Sequence, residues 1–294
     1  MSTRRISPDV LQKMRLIEIQ TRKLLSSTQV GNYTTANKGS GLEFDQLREY
    51  QEGDDVRFID WSGSARTQRL LVRQYFEERN RTILLVVDNS PSTKYGSTYM
   101  LKSELIAQLG SVLALVANYG KDAVGLIHCR GTLHHLPPAR GIGHVHRIME
   151  ELFAPDDAPA TTTSLKQGIE HLMLRCVKRP LIIVISDFID TDVADVLGVI
   201  ANRAEVIAIR CLDPLERQLP ALGMLHLKDS EQGTSTTLKV ASQKEQDRVN
   251  SLLKERNDQQ ELLLKSYGVE LIDVTPGTSY LGPLIAFFRK RRLY

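Results

Sequence analysis

Between Thr82 and Leu212 the chain alternates short, wholly apolar runs with longer stretches of helical periodicity. Ile83 to Val87, Ala123 to Ile127, Leu181 to Ile185 and Glu205 to Leu212 read as strands. Tyr99 to Asn118 carries Leu101, Leu105, Leu109, Val112 and Val116 along one helical face, and Ser164 to Cys176 and Val193 to Ala201 are also helical in pattern. Continuous apolar strands separated by helices require a sheet covered on both faces, so the pattern predicts an α/β domain with a mostly parallel sheet. Thr132 to Leu136 reads as a hairpin partner ending at Pro137-Pro138.

The flanking segments have a different texture. Ser7-Pro8-Asp9 signals a helix start, and Val10, Met14, Ile17, Thr21 and Leu24 give a one-faced helix to about Leu25. A polar linker follows from Ser26 to Gly41. Val56 to Trp61 and Leu70 to Phe76, separated by Ser62-Gly63-Ser64, predict a small antiparallel β-unit. Its charges, Asp54, Asp55, Asp60, Arg57, Arg66, Arg69 and Arg73, are either exposed ion pairs or a docking surface. After the apolar core come a hairpin, Met224 to Leu227 with Thr236 to Val240, and a long charged helix from Gln243 to Tyr267. Gly268 is its C-cap, a strand runs from Val269 to Val274, and Leu281 to Leu293 is a final helix. The expected division is residues 1–80 against an α/β domain over 81–294, with the hairpin and long helix inserted around 214–267.

With 294 residues, 41% hydrophobic and 25% charged, the chain can bury a sizeable core, which excludes global disorder. The longest apolar runs fall far short of the ~18 residues that span a bilayer, and no apolar stretch follows Arg4 and Arg5, so a cytoplasmic protein that is not integral to a membrane is expected. Cys129, Cys176 and Cys211 form no C-x-x-C pair and read as buried, reduced thiols. A balance of 38 basic to 35 acidic residues gives no argument for nucleic acid, and Arg289 to Arg292 complement a helix C-terminus. His128, His134, His135, His144 and His146 lack a spaced zinc signature and read as a surface hairpin, while Trp61 and Tyr50 read as packing residues, with a binding anchor as the alternative. There is no phosphate-binding Gly-x-x-x-x-Gly-Lys-Ser/Thr and no Gly-x-Ser-x-Gly elbow.

The candidate chemistry sits where apolar strands end in acids. Ile83 to Val87 leads into Asp88, and Leu181 to Ile185 leads into Ser186-Asp187. Ligands of parallel sheets bind at the carboxyl ends of strands, and two desolvated carboxylates there point to a cation. Ser90 and Ser92 follow Asp88, and Thr161 to Leu165 delivers a further hydroxyl. Carboxylates with hydroxyls suit a hard ion such as Mg²⁺. The competing reading is that Asp88 and Ser90 merely cap a turn and Asp187 opens an ordinary loop.

These three segments, Asp88-x-Ser90-x-Ser92, Thr163-Ser164-Leu165 and Ile185-Ser186-Asp187-Phe188, resemble the metal-ion-dependent adhesion site of von Willebrand factor A (vWA) domains. Gly41-Leu42-Glu43-Phe44, Leu47-Arg48-Glu49-Tyr50, Gly53 to Arg57, Ile59-Asp60-Trp61 and Ser64-Ala65-Arg66 resemble the signature of the bacterial DUF58 family, which accompanies MoxR-type AAA+ ATPases. Lys102, Gly125-Leu126, Asp213-Pro214-x-Glu216 and Leu219-Pro220 continue the likeness. It implies a Rossmann-like vWA domain whose metal positions are Asp88, Ser90, Ser92, Thr163 and Asp187. Pro91 and Ala160-Thr161-Thr162 depart from the pattern, so Thr162 stands as an alternative to Thr163. The function implied is a non-catalytic adaptor holding Mg²⁺ or Mn²⁺, engaging a MoxR-type ATPase and a client that presents Asp or Glu. The enzyme alternative is a Mg²⁺-dependent phosphohydrolase with Asp88 as nucleophile, and a third reading is a passive scaffold.

Overall fold

The computed structural model describes residues 8–27, 38–39, 43–76, 81–155, 164–175, 179–189, 193–220, 223–228, 235–240, 242–280 and 282–284. Helix α1 spans Pro8–Ser27. Strands β1 (Lys38–Gly39) and β2 (Glu43–Glu49), helix α2 (Trp61–Thr67) and strand β3 (Leu71–Phe76) follow. The chain divides into two compact units, one of residues 23–80 and the other of residues 1–22 with 81–294. The α1 residues up to Arg22 thus belong with the larger unit, not with the β-unit they precede.

In the smaller unit, β3 is the centre of an antiparallel sheet ordered β1-β3-β2. An antiparallel unit is present, but with a partner for β3 other than the one expected. Val56–Phe58 is a single 3-10 turn capped by Asp55, whose side chain accepts from the Arg57 N–H at 3.0 Å. The strand role falls to β2, whose Glu43-Phe44-Asp45-Gln46-Leu47-Arg48-Glu49 is too polar to advertise a strand. Ser62-Gly63-Ser64, expected as a loop, lies inside α2. There Ser64 N–H reaches the Asp60 carbonyl at 2.8 Å, and a Cβ on Gly63 would come within 2.7 Å of Asp60 Oδ2. Arg48 grips Asp54 with two bonds of 2.7 and 2.5 Å, Arg73 holds Asp60 at 2.8 Å, and Arg57 pairs with Asp55. These charges therefore work within their own unit. Trp61 is 67% exposed, which removes its expected packing role.

The larger unit is built from β4 (Thr82–Asp88), α3 (Lys102–Tyr119), β5 (Ala123–Arg130), β6 (Thr132–Ala139), α4 (Ile142–Leu152), α5 (Leu165–Met173), β7 (Leu181–Ser186), α6 (Val193–Ala201) and β8 (Glu205–Cys211). It is completed by α7 (Pro214–Arg217), the hairpin β9 (Gly223–Lys228) and β10 (Ser235–Val240), α8 (Gln243–Ser266) and β11 (Glu270–Val274). The six-stranded sheet has the order β11-β8-β7-β4-β5-β6, parallel throughout except for β6. Counted by appearance in this sheet, the order is 3-2-1-4-5-6 from the β6 edge, that of a Rossmann-like doubly wound domain.

Alternate residues of the central strands serve opposite faces. Leu85, Val87, Ile183 and Ile185 join one buried layer with α1, α3 and α4, while Leu84, Val86, Ile182 and Val184 join the other with α5, α6 and α8. This explains the uninterrupted apolar runs. Of the α1 stripe, Met14, Ile17 and Thr21 are buried and Val10 is half-buried, while the Leu24 side chain lies outside the described residues. The long charged helix ends where expected, with Gly268 at φ +73°.

Three expectations change. Helix α4 went unrecognised although Val145, Ile148, Met149 and Leu152 are buried at helical spacing. The histidines consequently do not share a surface hairpin: His144 and His146 lie on α4, and His128 is buried in β5. Strand β6 continues through Pro137-Pro138 to Ala139, which an edge strand permits. Cys129 and Cys211 are free and buried; Cys176 and most of the final helix lie outside the described residues.

Gly168 lets α5 lie directly on β5, because a Cβ there would sit 2.5 Å from Cys129 Sγ in the core. Gly168→Ala is expected to destabilise the protein by roughly 1–3 kcal/mol through overpacking, despite alanine's better helix propensity. Thermal unfolding of the variant against wild type measures the sign, and an increase in Tm would contradict this packing.

Candidate functional site

The sheet's order reverses between β4 and β7, whose following connections leave toward opposite layers and open a crevice at their carboxyl ends. Asp88, Ser90, Ser92, Leu165, Ser186, Asp187, Phe188, Ile189 and Val193 line a small cleft there. Four of the five expected site residues are thus brought together. Thr163 and its alternative Thr162 lie outside the described residues, although Leu165, two positions beyond Thr163, lines the same cleft.

Asp88 is the last residue of β4 and only 4% exposed. Its Oδ1 accepts from Ser90 N–H at 2.9 Å and its Oδ2 from Ser186 Oγ at 2.6 Å. Burial, reinforced by the Asp187 charge, outweighs these bonds and pushes its carboxyl up to about 6. Ser90 caps a 3-10 turn over Pro91–Lys94, so Pro91 occupies a first-turn position where a missing N–H is harmless. The turn sets Ser90 Oγ and Ser92 Oγ 3.0 Å apart.

On the β7 side, Asp187 is 3% exposed and its Oδ1 accepts from Ile189 N–H at 3.3 Å. Phe188 next to it has φ +51°, a conformation uncommon for a large side chain. Its ring is buried and its N–H donates to Ser186 Oγ at 2.9 Å, so packing and hydrogen bonding together hold the turn.

The spacing argument missed the cation already beside this cleft. Lys102, the first residue of α3, has no solvent exposure, and its Nζ donates to Asp187 Oδ2 at 2.8 Å and to Glu216 Oε1 at 2.7 Å. Burial works against its charge, but Asp187 and Glu216 prevail and hold the ammonium above the ordinary lysine range. Glu216, the third residue of α7, closes a capping box, Asp213-Pro214-Leu215-Glu216: its Oε2 accepts from Asp213 N–H at 2.8 Å, and Asp213 accepts from Leu215 N–H at 2.9 Å and Ser97 N–H at 2.7 Å. The D-P-x-E signal was legible; that it would carry a lysine partner was not.

The donor set fits a hard divalent ion better than a soft one. Cis oxygen ligands of an octahedral ion with bonds of 2.0–2.1 Å lie about 2.9 Å apart, close to the serine pair's separation. Among the described residues no group of three or more histidine, cysteine or carboxylate side chains is placed to hold a metal, so an ion here would depend on hydroxyls. Asp88 would be its principal anionic ligand, since Asp187 already shares its charge with Lys102.

The chain belongs to the family described as "Protein of unknown function DUF58", which matches residues 46–260. An uncharacterized protein of Mycobacterium tuberculosis is 28% identical over 288 residues, 97% of this chain and 90% of the relative. Among solved structures, an aerotolerance-related membrane protein from Bacteroides fragilis has a TM-score of 0.49 at 14% identity, covering 72% of this chain and 98% of that one. BatB from Bacteroides thetaiotaomicron has a TM-score of 0.46 at 15% identity over 72% and 98%, and the SpRpn10 VWA domain 0.38 at 12% identity over 70% and 93%. Among the described residues no helix of this chain is long and apolar enough to cross a membrane.

Because the Asp88 carboxyl titrates near 6 when folded and near ~3.9 when unfolded, its contribution favours folding below about pH 4 and is lost as pH rises through 6. In chelator, Asp88→Asn is therefore expected to gain about 2–3 kcal/mol over wild type at about pH 7.5 and to lose that advantage near pH 4. Urea unfolding at both pH values measures the gap; an equal gap at both would contradict the buried charge.

Proposed function

We propose that this protein is a non-catalytic adaptor whose cleft holds Mg²⁺ or Mn²⁺ and captures a carboxylate from another protein. Asp88, Ser90 and Ser92 would hold the ion, with Asp187 and Thr163 completing the set directly or through water. The observation carrying this reading is the serine hydroxyl pair, 3.0 Å apart, beside a buried carboxylate at the sheet's switch point. Bound there, the ion would supply an electrophilic position for an Asp or Glu from outside. Ser186 and the Ser90 N–H orient Asp88, and the Phe188 turn fixes Asp187. The DUF58 resemblance puts a MoxR-type AAA+ ATPase and its client forward as the partners, in the cytoplasm.

The residues give less support to a phosphohydrolase. A strand-end aspartate acting as nucleophile generally works with an acid two residues later, and Ser90 occupies that position. The neighbouring acid, Asp187, is engaged by Lys102.

Calorimetric titration with Mg²⁺ and Mn²⁺ is expected to give one site in wild type, weakened roughly tenfold or more by Asp88→Asn and by Ser90→Ala. Co-purification with the ATPase should fall in parallel and on adding EDTA. Capture that is unchanged in every variant and in chelator would eliminate metal-bridged binding.

A further inference from the structure

A lysine without solvent exposure at the first residue of a helix is in an unfavourable place twice over. Burial penalises its charge, and the positive end of the helix dipole repels it. Lys102 occupies that position with Nζ bound to Asp187 at 2.8 Å and Glu216 at 2.7 Å, while the Tyr95 ring centroid lies 5.9 Å away. A lysine needed only to neutralise Glu216 would not have to reach into the cleft's second carboxylate. One needed only for packing would be better replaced by an apolar side chain.

We propose that Lys102 is the cleft's resident counter-cation, a positioning residue that holds Asp187 and so deliberately weakens the site's own grip on a divalent ion. This rests on the reading of the cleft as a metal site. Its consequence is electrostatic: Asp187 is shared with the ammonium, whose other partner is Glu216 outside the cleft lining, so Asp88 is the one unshared carboxylate of the cleft. An ion held chiefly by Asp88 and hydroxyls keeps excess positive charge, which an outside carboxylate then satisfies. Glu216 competes with Asp187 for the same ammonium and so adjusts how firmly Asp187 is held. The anchoring of Glu216 at Asp213, itself bound to the Ser97 segment that leads into α3, ties this adjustment to the loops around the rim.

Mg²⁺ and Mn²⁺ titrations of the full chain, followed calorimetrically, test the assignment with two substitutions of opposite expected sign. Lys102→Met releases Asp187 and is expected to tighten ion binding roughly tenfold or more; Glu216→Gln leaves the ammonium to Asp187 and is expected to weaken it by a similar factor. A merely structural role would weaken binding in both variants. Circular dichroism reports whether each variant folds, and if Lys102→Met does not, Lys102→Gln, which also removes the ammonium, takes its place: tighter ion binding is expected, and equal or weaker binding overturns the assignment. Should wild type bind no ion, the adaptor reading fails. In that case, binding gained by Lys102→Met supports the counter-cation, and continued absence of binding overturns it. Equal affinities in wild type and both variants also overturn it.

Discussion

Two buried carboxylates brought to the same rim repel each other, and much of the local architecture around them contains that repulsion. Asp88 is restrained by Ser186 and the Ser90 N–H, and its carboxyl is nonetheless pushed up to about 6. Asp187 is handed to Lys102. The arrangement has directional consequences. The β4 acid keeps an unsettled charge facing two hydroxyls, whereas the β7 acid is largely spoken for from within.

That division of labour depends on elements far apart in the chain. Lys102 enters from α3, Glu216 from α7, and both converge on a strand end that neither adjoins in sequence. The doubly wound sheet makes this convergence possible, because reversal of strand order leaves a gap where connections from β4 and β7 part. A buried pair of this kind is a poor source of net stability, since desolvation offsets most of the attraction. Its presence is better understood as placing charge than as holding the fold together.

The fold was legible where burial made the pattern simple. Strands covered on both faces have no polar alternation to confuse them, and the runs ending in Asp88 and Ser186 stand out accordingly. The site's carboxylates and serines were legible for the same reason, being the first polar residues after those runs. Elements half-covered or heavily charged were not: β2 has mostly charged or amide side chains, and the short apolar stripe of α4 starts at Val145 between His144 and His146, which read as part of a histidine-bearing surface hairpin. Lys102 escaped a reading based on spacing because an ion pair spanning 85 positions leaves no local trace. The resemblance marked the residue without giving it a task.

The edge strand β6 has one further implication. Of the consecutive prolines at 137 and 138, strand alternation turns one toward the open edge, where it lacks the N–H that an added strand would need, at an end of the sheet where exposed backbone otherwise invites another chain. Extension of the sheet by augmentation is obstructed along that stretch, so lateral polymerisation through this edge is disfavoured.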